Sequence, residues 1–161
     1  TLIVDPTYDR HRRELERRDV TWGAYHFFGH RTPGREQARN FIRTARLEKG
    51  NLLPVLDIEQ HRFMTDPKRS VRAAKAFCDE IRRYYGADPI IYCSTHFYET
   101  YLKKEFSPDR YTLWIADYRG CPRIKWRIWQ HTDSHSLPGI RGKVDRNVFA
   151  GSEQEFKKLI L

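Results

Sequence analysis

Leu52-Leu53-Pro54-Val55-Leu56-Asp57-Ile58-Glu59 is the stretch on which the reading of this chain turns. Its body is apolar and suited to a strand, and its C-terminal end delivers two carboxylates at positions i and i+2. In a strand that spacing sets both acids on one face. A buried strand ending in two same-facing acids predicts a site at the C-terminal mouth of a parallel sheet or barrel, where α/β folds gather their chemistry.

Outward from that stretch, helix and strand signals alternate. Upstream, Thr7 to Arg18 reads as a charged helix and Val20 to Phe28 as a buried strand. Thr32 before Pro33 predicts a capped helix starting at the proline. Ala38, Phe41, Ile42 and Ala45 recur at helical spacing, and Gly50 ends the run. Downstream, Asp66 and Pro67 repeat the cap-plus-proline start, and an apolar stripe from Val71 to Tyr85 stops at Gly86. Pro89 to Ser94 reads as a short buried strand and His96 to Lys104 as helical. Tyr111 to Tyr118, Trp126 to Thr132 and Lys143 to Phe149 then read as strands, before a Ser152/Glu155 capping box opens a last helix. With no repeat, low-complexity tract or linker, residues 1–161 read as one domain. The order fits an α/β fold, an irregular TIM-like (β/α) barrel with a strand-rich second half, better than an open doubly wound sheet. Alternation alone does not separate the two.

The chain's 161 residues are enough for one real core, and 39% hydrophobic with 14% aromatic residues argues against disorder. No apolar run reaches the ~20 residues of a membrane span. The chain opens on a strand-like Leu2-Ile3-Val4 with no leader segment in view. A net charge of +9 favours polyanions such as nucleic acid, an anionic membrane surface or an anionic cell wall. Most of the basic residues fall on predicted helices, however, as solvated faces do. Cys78, Cys93 and Cys121 are too dispersed for a disulfide framework, and Cys78 and Cys93 sit in apolar contexts as buried thiols. No Cys/His pairing supports a zinc site.

The predicted strands end in polar or aromatic residues: Tyr25 and His26, Asp57 and Glu59, Tyr92 and Ser94, Asp117 and Tyr118, Gln130 and His131, Asp145 and Asn147. In a parallel barrel these ends form one rim. Three readings of Asp57 and Glu59 stay open. They could form an ion pair with the nearby Arg62. They could act as general acid and base, because close carboxylates raise each other's proton affinity and a protonated acid can serve a leaving alkoxide. Glycoside hydrolysis needs that chemistry, and aromatic strand ends suit a sugar ring. Asp57, Glu59 and Asp145 could instead hold a divalent metal, as in a nuclease. The basic charge favours the nuclease; the aromatic rim and the lack of a lysine or histidine partner set favour the glycosidase. His26 and His131, flanked by aromatics, read first as hydrogen-bonded core residues. Period two puts Trp114 on one face with Ala116 and Tyr118, and Gln130 opposite Trp129.

Assembled in order, Gly23-Ala24-Tyr25-His26-Phe27, Pro54-Val55-Leu56-Asp57-Ile58-Glu59, Ile91-Tyr92-Cys93-Ser94, Leu113-Trp114-Ile115-Ala116-Asp117-Tyr118, Ile128-Trp129-Gln130-His131 and Gly142-Lys143-Val144-Asp145-Arg146-Asn147 resemble the motifs of the glycoside hydrolase family 25 lysozymes, the Chalaropsis-type N-acetylmuramidases. The resemblance spans nearly the whole chain. It implies an irregular (β/α) barrel that cleaves the β-1,4 bond between N-acetylmuramic acid and N-acetylglucosamine in peptidoglycan. Glu59 would be the general acid, Asp57 its assisting partner, and Asp145 part of the same acidic cluster. Tyr25, Tyr92, Trp114, Tyr118 and Gln130 would line the sugar groove. It implies no cofactor or metal, a peptidoglycan strand rather than nucleic acid as partner, and a secreted, periplasmic or cell-envelope location. The family pattern opens with an aspartate in a D-x-S-x-x-Q-G-like strand and a second strand near K-A-T-E-G, and this chain matches neither. It starts at Val4-Asp5-Pro6-Thr7-Tyr8-Asp9, which resembles the stretch after that second strand. An N-terminally incomplete barrel follows, with free sheet edges open to pairing with another copy. A non-catalytic glycan-binding or assembly module is the competing expectation.

Overall fold

The first four strands of this chain have only three to five residues each, and packing of one sheet face against helices holds them together. The computed structural model describes residues 3–161. Six strands lie side by side in chain order: β1 (Tyr25–Phe27), β2 (Val55–Asp57), β3 (Ile90–Ser94), β4 (Leu113–Ala116), β5 (Ile128–His135) and β6 (Val144–Phe149). The pairs from β1 to β5 are parallel and the β5–β6 pair is antiparallel. Parallel neighbours need long crossovers. Three of the four are helical, α2 (Gly34–Ala45), α3 (Pro67–Tyr85), and α4 (Thr95–Phe97) running into a π-helical turn at Tyr98–Leu102, and the fourth, from β4 to β5, is a loop over residues 117–127; α1 (Tyr8–Arg17) precedes β1 and α5 (Glu153–Lys157) follows β6. Among the described residues β1 and β6 are the edges of the sheet, so the expected α/β barrel-like architecture is present with an open wall and without closure.

The two sheet faces differ in chemistry. Leu56, Ile91, Cys93, Leu113 and Ile115 are buried with Ala38 and Phe41 of α2 and Ala74, Phe77 and Ile81 of α3. Burying each large aliphatic side chain contributes about 1.5–3 kcal/mol. The alternate residues Val55 and Ile90 join Leu53 and Leu159 in a smaller cluster on the other, inner face. The half-buried rings of Tyr92, Trp114 and Phe149 extend that cluster. Where α2 meets α3, a Cβ on Gly34 would lie 1.8 Å from the Ala73 carbonyl oxygen, so only glycine permits the approach.

Local signals fixed α3 as expected. Asp66 Oδ1 accepts from the Arg69 N–H at 2.9 Å, Pro67 opens the helix, and Gly86 ends it at φ +76°. The Ser152/Glu155 capping box is also formed. The start of α2 differs. Pro33 occupies the cap position and Thr32 makes no cap bond. The buried Gln37 amide secures the entry instead, accepting from the Gly29 N–H at 2.7 Å and donating to the Gly29 and Thr32 carbonyls at 2.8 Å each. α2 also stops short of Gly50, at Arg46 with φ +51°, because Leu47 must turn into the core. Only Tyr25–Phe27 of the expected Val20–Phe28 strand is paired. Ile3 and Val4 belong to no strand, and Leu2 lies outside the described residues.

Candidate active site

Residues in register on parallel strands point to the same side, so the pairing fixes who faces whom. One row crosses the inner face: Phe27, Asp57, Tyr92, Trp114, Ile128 and Phe149. A second row nearer the rim holds Ser94, Ala116, Gln130 and Asn147. Because β6 runs antiparallel, Asp145 at its start lies toward the same rim as the C-terminal ends of the other strands.

Asp57 is therefore the acid within the aromatic row. Its strand ends there, and Glu59 lies beyond it, a departure from the expectation that both acids sit in one strand. The chain still follows β3 for one more residue, since the Ile58 N–H donates to the Tyr92 carbonyl at 2.9 Å. Ile58 is fully buried, and the acids on either side of it are half-buried. The Glu59 carbonyl accepts a 2.8 Å bond from His30 Nε2, which ties the β1–α2 loop to the acid.

The electrostatics follow from that placement. Burial, with the Glu59 charge beside it, pushes the Asp57 carboxyl up to about 7. Burial also raises Glu59. Asp57 Oδ1 is buried without a hydrogen-bond partner, and neither acid forms an ion pair among the described residues. The expected alternative, an ion pair with Arg62, is not formed: that guanidinium lies 4.8 Å from the centre of the Phe63 ring. Burial and then the charges near it, Tyr118, Glu59 and Asp57, hold the Tyr92 phenol above its ordinary range. Asp145 is exposed, and its charge acts on Tyr118. Among the described residues, Asp57, Glu59 and Asp145 do not converge as a metal-binding group.

The opposite wall is knitted together. Trp114 Nε1 donates to Asn147 Oδ1 at 2.8 Å, and buried Gln130 donates through Nε2 to Tyr118 Oη at 3.2 Å. Tyr92 and Trp114 meet edge to face at 5.5 Å. Tyr25 is on the inner face but one step below the Asp57 row, and 68% exposed. A cavity of about 640 Å³ runs along the free edge of β1 between α1 and α2; it touches the inner face at Tyr25 and Phe27 and includes neither acid.

Comparison with known proteins places this geometry. Residues 1–140 match the model of the Glycosyl hydrolases family 25. The chain belongs to that family. Uncharacterized protein YegX of Escherichia coli O157:H7 is 32% identical over 162 aligned residues, covering 98% of this chain and 58% of YegX. The chain thus spans just over half the length of the curated relatives it matches. A family 25 glycosyl hydrolase from Bacillus anthracis superposes with a TM-score of 0.87 at 28% identity, over 99% of this chain and 77% of its own. The spore cortex lytic enzyme SleM of Clostridium perfringens gives 0.79 at 25%, over 99% and 58%. A muramidase from Acremonium alcalophilum, at 0.82 and 23% over 99% and 82%, shares the fold.

Within this family 25 fold, Asp57, Tyr92, Trp114, Tyr118 and Gln130 are brought together with Glu59, while Asp145 and Tyr25 stand at the margins. Sequence reasoning missed Phe27, in register with Asp57 and 50% exposed. Its period-two relation to Tyr25 was the available signal. It also missed His30 as the holder of Glu59, for which no local signal exists. Asn147 was read only as a strand end. His26 faces the helices, bonded to Gln37 Oε1 at 2.8 Å and stacked on Phe77 at 5.2 Å, and is a core residue. Among the described residues no helix is long and apolar enough to cross a membrane.

Proposed function

We propose that this chain, as a single domain over residues 1–161, hydrolyses peptidoglycan at the β-1,4 bond between N-acetylmuramic acid and N-acetylglucosamine, acting at the cell envelope. The observation that carries the reading is the unpaired Asp57–Glu59 pair, held at raised proton affinity beside an aromatic row. Such a pair retains a proton near neutrality, as protonation of a leaving sugar oxygen requires. In this reading Glu59, at the rim and fixed through His30, is the general acid. Asp57 lies deeper, and its partnerless Oδ1 suits a substrate amide N–H such as that of the 2-acetamido group. Asp145 adds negative charge on the far side through Tyr118. Tyr25, Tyr92, Trp114, Tyr118 and Gln130 line the groove, and the family relatives named as lytic enzymes and muramidases support the substrate class. Turbidity loss of purified peptidoglycan with reducing-end analysis tests this. Products ending in muramic acid, and loss of lysis in Glu59→Gln, are expected; products ending otherwise overturn the bond assignment.

A second reading, a glycan-binding module without turnover, is favoured by the exposure of Tyr25 and Phe27 on the open side of the groove. A site that cannot exclude water there stabilises charge less well. It predicts saturable muropeptide binding and no new reducing ends.

A further inference from the structure

Beyond the aromatic row, the β1–α2 and β2–α3 loops meet at the His30–Glu59 bond and carry a second set of rings outward. Phe27, next to Asp57, meets His61 edge to face at 6.4 Å, and His61 lies 4.9 Å from Phe63. The Phe63 N–H donates to His61 Nδ1 at 3.3 Å, so the neutral ring keeps Nε2–H as a free donor. Two guanidiniums rest on Phe63: Arg31 at 3.7 Å from the ring centre and Arg62 at 4.8 Å. Both arginines are exposed, and neither pairs with a carboxylate among the described residues, whereas Arg17, Arg39, Arg82 and Arg110 each do.

Stacking orients a guanidinium and leaves its N–H edge free. Two cations that share one ring and lack a carboxylate partner raise the local positive potential, and their N–H edges can each donate charge-assisted bonds to an anion beside the ring. The cluster sits at the Glu59 end of the groove, so the anion it would take belongs to the same substrate.

We propose that Arg31 and Arg62, stacked on Phe63, form a carboxylate-recognising subsite continuous with the groove, which selects glycan bearing free carboxylates over neutral β-1,4 N-acetylglucosamine polymers. This rests on the glycan reading above. Two carboxylates of peptidoglycan share that chemistry, the lactyl group of muramic acid and the stem peptide.

Calorimetric titration of the chain carrying Glu59→Gln, which blocks turnover, decides the matter with four ligands: a peptide-free muramic-acid tetrasaccharide, the same saccharide with its carboxyls amidated, a stem-bearing muropeptide, and chitotetraose. The free-acid saccharide should bind about tenfold more tightly than its amide. The advantage should shrink with added salt and vanish when Arg31→Gln and Arg62→Gln are added. Arg62→Lys, which keeps the charge but loses the fork, should retain only part of it. A preference confined to the stem-bearing ligand assigns the carboxylate to the peptide. Equal affinity for acid and amide, with chitotetraose also bound, overturns the subsite and leaves the glycan reading standing. Failure to bind any of the four overturns both.

Discussion

The two walls of the inner face are built on opposite terms. On the β2–β3 wall, Asp57 is half-buried, partnerless at Oδ1 and raised to about 7, with Glu59 raised beside it. On the β4–β6 wall, Trp114 is bonded to Asn147, Gln130 to Tyr118, and Asp145 is exposed to solvent. One wall stores unsatisfied polar chemistry and the other spends its polar groups on each other. Unsatisfied buried groups cost stability and collect where chemistry is done. The first wall is therefore read as reactive and the second as a rigid surface that positions a sugar.

Substitution separates the walls most sharply. Glu59→Gln should cut peptidoglycan lysis by about a thousandfold, the scale of lost general-acid catalysis. Asp145→Asn should cost no more than about threefold in the same assay, as an exposed charge acting at a distance. Comparable losses at both positions would dissolve the distinction.

The reactive wall also predicts a stability signature. Asp57 binds its proton more tightly folded, at about 7, than an ordinary aspartate does at 3.8. Its contribution to stability is complete below pH about 4 and is lost as pH rises through about 7. Asp57→Asn should thus be more stable than the parent at pH 8 by ~2 kcal/mol, after discounting for solvent access. The gap should close near pH 4. Chemical denaturation at the two pH values reads both. An equal difference at both would mean the gain comes from packing rather than from the carboxylate. Lysis should fall as pH climbs past about 7, when the pair loses its shared proton.

The positioning wall should respond more mildly. Asn147→Ala leaves the Trp114 indole without its acceptor, worth about 1 kcal/mol, and should appear as a several-fold rise in KM with kcat little changed. A kcat loss as large as that of Glu59→Gln would move this wall into the chemistry.

What the sequence disclosed divides along similar lines. Signals within one turn were legible: Asp66, Pro67 and Gly86 bound α3, and Ser152 with Glu155 capped α5. Period two put Trp114 on a face with Tyr118, and Gln130 opposite Trp129, before any register was known; their meeting with Asp57 and Tyr92 was implied only by the family resemblance. Thr32 misled because hydroxyl capping is a local habit, and here a buried amide five residues on, Gln37, did the work. Phe27 and His30 were hidden for a different reason. Their roles depend on which strand β1 pairs with and where its loop lands, and such register is set by long-range packing. The three-residue β1 was overestimated because its apolar flank buries Trp22 and Ala24 without extending the ladder.

The central claim is that Asp57 and Glu59 hold a proton at neutrality. Carbon-13 NMR of the side-chain carboxyls across pH measures it directly. The account predicts one carboxyl step near 7 in the parent chain, absent in Asp57→Asn. Titration of every carboxyl at about 4, the ordinary range, would contradict it.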